Sequence, residues 1–391
     1  MLGGTSGQGS GLALEPARRW PMIVCAAIVV AVLPYVLSTP YWRGILIICA
    51  MNVMLALSLN LILGYTGQLN LGQSGFFAIG AYVTTVLVKS YGWNFWGAAL
   101  IAIICAGLVG LLLAAFSVRL KGHYLGIASL GFAVIAYQVL LNWESVTEGV
   151  RGIYGIMPPS PIRIPGLPEI GFGSPVTLFW LVGGLALLVY IVVDNLIRSP
   201  VGETLRAIRE DEVSASSLGI NPAKWKAFAF GIGSAIAGLA GCFYPGFVGT
   251  LVPDAFGIVE SFTMMAMVIV GGMGTMIGPV VGAIVLTCLP ELLRDFGELR
   301  LMVYGLAFFP QPLGSLSMSL LHARHLRKSF GGVKAVQDIS LEIEEGSIFA
   351  LIGPNGAGKS TTMNLLSGTY QPDSGELEFD GHALVGLPEH K

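Results

Sequence analysis

Residues 45–88 read ILIICAMNVMLALSLNLILGYTGQLNLGQSGFFAIGAYVTTVLV. Two apolar runs, 45–63 and 74–88, flank an elbow carrying Asn60, Gln68, Asn70, Gln73 and Ser74. Crossing about 30 Å of hydrocarbon takes roughly 20 apolar residues in a helix. The stretch therefore predicts two membrane helices joined by a short polar turn. Polar groups at membrane depth are often functional, which makes Asn60, Gln68, Asn70 and Gln73 candidates for a substrate path. The alternative is a turn at the membrane surface whose amides satisfy local backbone.

The same pattern repeats outward. Further candidate spans are 21–38, 96–117, 123–142, 175–196, 226–248, 258–272 and 277–290, with a weaker one starting at 301. Of 391 residues, 54% are hydrophobic and 11% charged. A soluble domain carries about 25% charged residues, so most of this chain need not face water. A net charge of -2 speaks against a nucleic-acid partner. Cys25, Cys49, Cys105, Cys242 and Cys288 each stand alone in an apolar run. No Cys/His spacing suggests a metal or a disulfide, and the thiols read as small apolar filler. Residues 1–20 are Gly/Ser-rich and end in Arg18-Arg19. They predict a disordered tail before the first membrane helix, since no small-x-small cleavage site follows.

Charge placement tests the span count. With the N-terminus inside, the inner loops hold Arg18, Arg19, Arg119, Lys121, Arg198, Arg206, Arg209, Lys224 and Lys226, and the outer loops Arg43, Lys89, Arg151, Arg163, Arg294 and Arg300. Nine against six is the expected bias toward the cytoplasmic side, and it places the C-terminal segment there as well. The run 258–290 is broken by GGMGTMIGP. A break at membrane depth needs protein or a water-filled cavity to satisfy its backbone. A discontinuous helix near the translocation path and close packing through small residues explain it equally well. The outer loop 143–174 is rich in Gly and Pro. In the inner loop 197–225, Leu205, Ile208 and Leu218 recur near helical spacing beside Arg206, Arg209, Glu210 and Asp211. That pattern predicts an amphipathic cytoplasmic helix, either a solvated connector or a docking helix for a soluble partner.

After about Met318 the character changes to short β-rich runs split by Gly and charge. Gly353-Pro354-Asn355-Gly356-Ala357-Gly358-Lys359-Ser360 fits GxxxxGK[ST] in full, with IFALI before it and a helix over about 359–367 after it. Glycines let backbone N–H groups turn onto phosphates, Lys359 reaches the β/γ-phosphates, and the Ser360 hydroxyl suits Mg²⁺. Thr361 continues the loop into a helix whose positive end faces the anion. ATP and Mg²⁺ are the implied ligands. Hydrolysis also needs a second acidic Mg²⁺ ligand at the end of an apolar strand. LEFDG, ending at Gly381, is too close and too weakly apolar to supply it.

VKAVQDISLEIEEGSIFALIGPNGAGKSTTMNLLSGTYQPDSGELEFDG (333–381) closely resembles the start of the ATP-binding subunit of ABC importers for branched-chain amino acids. The membrane part is similar to the permease subunit of the same importers, through GYTGQLNLGQSGFFAIGAYV (64–83), LKGHYLGIASLGFA (120–133), VGETLRAIREDEVSASSLGI (201–220) and VIVGGMGTMIGPVVGA (268–283). The resemblance implies that Arg206 to Gly219, with Arg209, Glu210 and Asp211, is a coupling segment docking on the ATPase. Val213-Ser214-Ala215 stands where many importers have EAA, a loose match. It also implies that Phe330 stacks on adenine; a buried strand residue is the alternative. The family's Gln loop, LSGGQ-like signature, Walker B strand and switch His are absent, so ATP hydrolysis by this chain alone is not expected. LRLMVYGLAFF (299–309) breaks off into PQPLGSLSMS, which points to a junction near Phe309–Met318 from gene fusion, frameshift or an assembly artefact.

The expected architecture is a polytopic α-helical membrane protein of about 9–10 spans followed by a truncated α/β P-loop ABC ATPase fragment. Its expected parts are a cytoplasmic tail (1–20), a permease domain (21–310), a junction (311–318) and a partial ATP-binding domain (319–391). The expected setting is a bacterial inner membrane with both termini cytoplasmic. Implied partners are a second permease subunit, full-length ATPase subunits, a periplasmic substrate-binding protein and the lipid bilayer. A permease for urea or short amides remains an alternative, as does a non-transporting membrane protein with a nucleotide-binding fragment.

Overall fold

The computed structural model describes residues 16–37, 39–117, 123–162, 169–292, 319–344, 358–379 and 382–384. The chain divides into two compact units, Met1–Phe309 and Pro310–Lys391.

The first unit is helical. Its elements are α1 (Pro16–Val36), α2 (Pro40–Leu59), α3 (Gln73–Lys89), α4 (Phe95–Ser117), α5 (His123–Asn142), α6 (Pro175–Arg198), α7 (Pro200–Glu210), α8 (Glu212–Ser217), α9 (Pro222–Val248), α10 (Ile258–Gly271) and α11 (Gly278–Leu292). Among the described residues, six stretches are long and apolar enough to cross a membrane: Pro40–Gly64, Phe95–Ala115, Leu125–Asn142, Pro175–Arg198, Pro222–Val248 and Pro253–Gly271. Shorter apolar helices occupy Ile23–Val36 and Gly278–Leu292. Helix α3 has 17 residues. Every predicted span except the one from 301 coincides with a helix, and 301 lies outside the described residues. The unit is polytopic and α-helical.

Local chemistry sets the helix starts. α2, α6, α7 and α9 each begin Thr/Ser/Asn-Pro. The side chains of Thr39, Ser174, Ser199 and Asn221 accept from the N–H groups of Trp42, Thr177, Val201 and Lys224. Such caps satisfy orphan donors, and proline at the first position is already set for the helix. The same proline effect corrects one expectation. Pro16 opens α1, so 16–20 are helical although the sequence suggested a disordered tail. Residues 1–15 lie outside the described residues.

Helices α3 and α9 cross backbone to backbone. A Cβ on Gly80 would lie 2.0 Å from the Gly238 carbonyl oxygen, and one on Gly241 would lie 2.1 Å from the Phe77 oxygen. Lipid tails are as apolar as leucine, so membrane helices associate largely through such close packing. Phe76, Phe230 and Phe243 fill the space around this crossing, fully buried.

Contacts sort the loops into two groups. In one, Arg209 donates to the Gly64 oxygen, and Asn60 bonds to Gly274 and Thr275. In the other, Lys89 meets Glu148 at 3.5 Å and donates to the Tyr154 oxygen at 3.1 Å. There β1 (Ile153–Tyr154) pairs antiparallel with β2 (Thr250–Leu251), and Trp96 Nε1 donates to the Ser160 oxygen. The two groups are the loops that alternating spans place at opposite ends of the helices.

The second unit holds β3 (Ser319–Phe330), β4 (Val333–Glu344), α12 (Lys359–Leu366), β5 (Ser374–Phe379) and β6 (His382–Ala383). The sheet is antiparallel, in the order β4-β3-β5-β6. Its core is Ala323, Leu326, Val336, Leu365 and Leu377. The predicted IFALI strand and the junction 311–318 lie outside the described residues.

Candidate functional site

The elbow is a hydrogen-bonded knot. Helix α2 ends in a π-helical turn, Asn60–Gly64. Asn60 accepts from the Gly274 N–H at 2.9 Å and donates to the Thr275 oxygen at 2.8 Å. Asn70 donates to Gln73 at 2.8 Å, and its oxygen accepts from the Gly72 N–H at 2.8 Å. Gln73 donates to Ser58 at 2.5 Å. Ser261 bonds both the N–H and the hydroxyl of Ser74. Asn60, Asn70, Gln73 and Ser74 are fully buried. Of the four candidate amides, Gln68 stands apart: its Oε1 is buried with no partner among the described residues. The other three have partners: Asn60 bonds the distant Gly274–Thr275 backbone, Asn70 bonds Gln73 and the Gly72 N–H, and Gln73 donates to the Ser58 hydroxyl. The partners Ser129, Ser261 and Thr275 were not legible, because they lie 58, 187 and 215 residues away in sequence from the groups they bond.

The predicted amphipathic helix is two helices. Asp211 is extended, with φ -153° and ψ 111°; it ends α7 and caps α8. Its carboxylate accepts from the Val213 N–H at 2.9 Å and the Ser214 hydroxyl at 2.6 Å. These bonds, the Ser214 one foremost, hold the Asp211 carboxyl below its ordinary range. Leu205 and Ile208 are buried on α7 as expected. Leu218 is not on that face. It follows α8, where Gly219 turns the chain at φ +84°, and it is 81% exposed. Val213 is 75% exposed on the same short segment. Arg206, Arg209 and Glu210 line a cavity of about 370 Å³ with Tyr65 and Gly274. A second cavity of about 200 Å³ lies among the outer-loop group, where Thr84, Lys89, Phe95 and Ile156 are among its walls. The Thr84 hydroxyl there is buried without a partner among the described residues.

In the second unit only the last part of the loop is described. Gly353, Pro354, Asn355, Gly356 and Ala357 lie outside it. Gly358 has φ +78°, and a Cβ there would sit 2.2 Å from the Ala335 oxygen, so only glycine fits. It precedes α12, which starts at Lys359; Ser360 is exposed in the first turn, and Thr361 is half-buried. These residues fit the helix-side edge of a phosphate cradle. Phe330, at the end of β3, is 45% exposed, so the buried-strand alternative does not hold. Tyr370 meets its edge at 5.3 Å, and the Lys328 ammonium lies 5.6 Å from its centroid.

Residues 42–309 match the family described as branched-chain amino acid transport system, permease component. The chain belongs to this permease family. One relative is the high-affinity branched-chain amino acid transport system permease protein LivM of Escherichia coli. It is 35% identical over 288 residues, covering 68% of this permease and 68% of the relative. Residues 336–391 match the ABC transporter family. The chain also resembles the high-affinity branched-chain amino acid transport ATP-binding protein BraF of Pseudomonas aeruginosa, 45% identical over 76 residues, 19% of this chain and 30% of BraF. It resembles the ribose import ATP-binding protein RbsA 2 of Burkholderia cenocepacia as well, 57% identical over 65 residues, 17% of this chain and 13% of RbsA 2. The C-terminal unit is thus an ABC ATPase fragment whose sequence does not distinguish amino-acid from sugar importers. The permease unit carries the information about cargo.

Proposed function

We propose that this chain is the membrane subunit of an ABC importer that brings branched-chain amino acids into a bacterial cell, driven by ATP hydrolysis on partner ATPase subunits. The observation that carries the reading is the permease-family match over 42–309, a region whose helices fold into one polytopic unit. The face with α7 and α8 is cytoplasmic in this reading. There the exposed Val213 and Leu218 offer apolar contact to an ATPase, and Arg209 links that segment to the α2 turn and the α10–α11 break. On the opposite face, the cavity walls Val88, Phe95 and Ile156 suit a branched aliphatic side chain. The inner membrane, a second permease subunit and a periplasmic binding protein complete the proposed machine.

In the C-terminal unit, Phe330 would stack on adenine, Lys359 would hold phosphate and Ser360 would hold Mg²⁺. The metal's role there is to neutralise phosphate charge. Turnover belongs to the partner subunits.

The test is uptake in a strain lacking both branched-chain amino acid and urea import. This chain is co-expressed with a second permease, full-length ATPases and a binding protein. Labelled leucine should accumulate and labelled urea should not. Urea uptake without leucine uptake, or no leucine uptake in any combination, overturns the proposal.

A further inference from the structure

The cavity of about 370 Å³ beside α7 is lined by Tyr65, Arg206, Arg209, Glu210 and Gly274. Its charges are not neutralised from within. Arg206 donates to the Ile197 carbonyl at 3.4 Å and lies 5.7 Å from the Tyr65 centroid. Arg209 donates to the Gly64 carbonyl. No carboxylate among the described residues pairs with either guanidinium, and Glu210 makes no hydrogen bond or ion pair among them. Arg206 and Glu210 are four residues apart on one helix, but with the cation first, the weaker order for such a pair.

Two guanidiniums and one carboxylate therefore share one open space. A simple anion would be drawn by Arg206 and Arg209 and repelled by Glu210. A simple cation would meet the reverse. A molecule carrying both charges on adjacent groups satisfies all three, because guanidinium takes a carboxylate through forked hydrogen bonds and a carboxylate takes an ammonium.

We propose that this cavity binds a free α-amino acid as its zwitterion, with Arg206 and Arg209 on the carboxylate and Glu210 on the ammonium. An ethanolamine phospholipid headgroup has the same pair of charges and is the competing source. The consequence rests on the import reading above. On the cytoplasmic face the amino acid is product, and its carboxylate competes with the Gly64 oxygen for Arg209. Filling the site then loosens the link between the coupling segment and the α2 turn, so accumulated product slows import.

The full chain, purified in detergent, is titrated with leucine, with 4-methylpentanoate (no ammonium) and with 3-methylbutylamine (no carboxylate). Leucine should bind saturably, and each analogue about tenfold or more weakly. Glu210→Gln should remove the preference for leucine over 4-methylpentanoate. Short-chain phosphatidylethanolamine should not displace leucine. Absent leucine binding, equal affinities, an unchanged preference in Glu210→Gln, or displacement by the lipid each overturns the site. Uptake by the assembled importer separates the two readings. Intact uptake with no such binding sinks this inference alone, whereas binding without any uptake sinks the import reading alone.

Discussion

Asn60 accepts the Gly274 N–H at 2.9 Å, joining residues that stand 214 apart in sequence. The same carboxamide donates to the Thr275 oxygen. One buried side chain thus supplies both partners that the break between α10 and α11 would otherwise lack. Asn60→Ala should remove both bonds to the part-buried Gly274–Thr275 backbone, at about 0.5–1.5 kcal/mol each. A fall of several degrees in the thermal midpoint of the detergent-solubilised chain is expected. An unchanged midpoint would show that the break is satisfied by other means.

The α3–α9 crossing gives a paired test. Gly80→Ala drives a methyl group into the Gly238 backbone, where nothing flexible can yield. Overpacking of this kind costs about 1–3 kcal/mol or more. Gly184→Ala, on α6 with nothing within 4 Å, should be neutral or slightly stabilising. Comparable yields of folded protein from both variants would contradict the crossing.

Asp211 makes the cap of α8 depend on pH. Its folded-state pKa is lowered by the Ser214 hydroxyl first and the Val213 and Ser214 N–H groups next. A lowered value means the cap's stabilisation is complete above the ordinary aspartate pKa and is lost as pH falls through the depressed one. Amide exchange in 212–217, corrected for intrinsic rate, should rise only in that acidic range. Asp211→Asn should flatten the profile; a profile identical to the parent's would remove the carboxylate from the account.

Cys49 and Cys288 are isolated in sequence, yet their sulfurs lie 3.6 Å apart across α2 and α11. Copper-phenanthroline oxidation should protect this pair from maleimide labelling. Cys105→Ser should leave the protection intact, and Cys288→Ser should abolish it. Full labelling after oxidation would place α11 elsewhere.

Nucleotide binding by the C-terminal unit should show as fluorescence of a trinitrophenyl-ATP probe on the purified chain. Lys359→Ala should abolish the signal. Phe330→Ala should weaken it by about fivefold or more, since one base–aromatic stack is worth about 1–3 kcal/mol. ATP turnover by the chain alone should stay at background in the parent and in both variants. Steady turnover lost in Lys359→Ala would mean a complete catalytic site.

The helices were legible because apolar length and Ser/Thr/Asn-Pro starts are local signals. So were the elbow and the break, which interrupt those signals. The division of 197–225 at Asp211 was not, since an aspartate inside a helical pattern can cap or simply face solvent. Leu218 misled for a related reason: its spacing fits the α7 face, but the chain has already left that axis. The elbow's role was the least readable, because its bonds run to residues far along the chain. The C-terminal loop was plain from spacing alone, and its cargo was not, since similar loops occur in importers of amino acids and of ribose.

The C-terminal unit has a core of five buried apolar residues among those described: Ala323, Leu326, Val336, Leu365 and Leu377. Whatever binds only the folded form of this unit adds to its stability by mass action. At a hundred times its Kd, a single ligand adds about 2.7 kcal/mol. For this unit a nucleotide or a docked ATPase subunit would act as a folding partner, and its lifetime in the cell would track their supply.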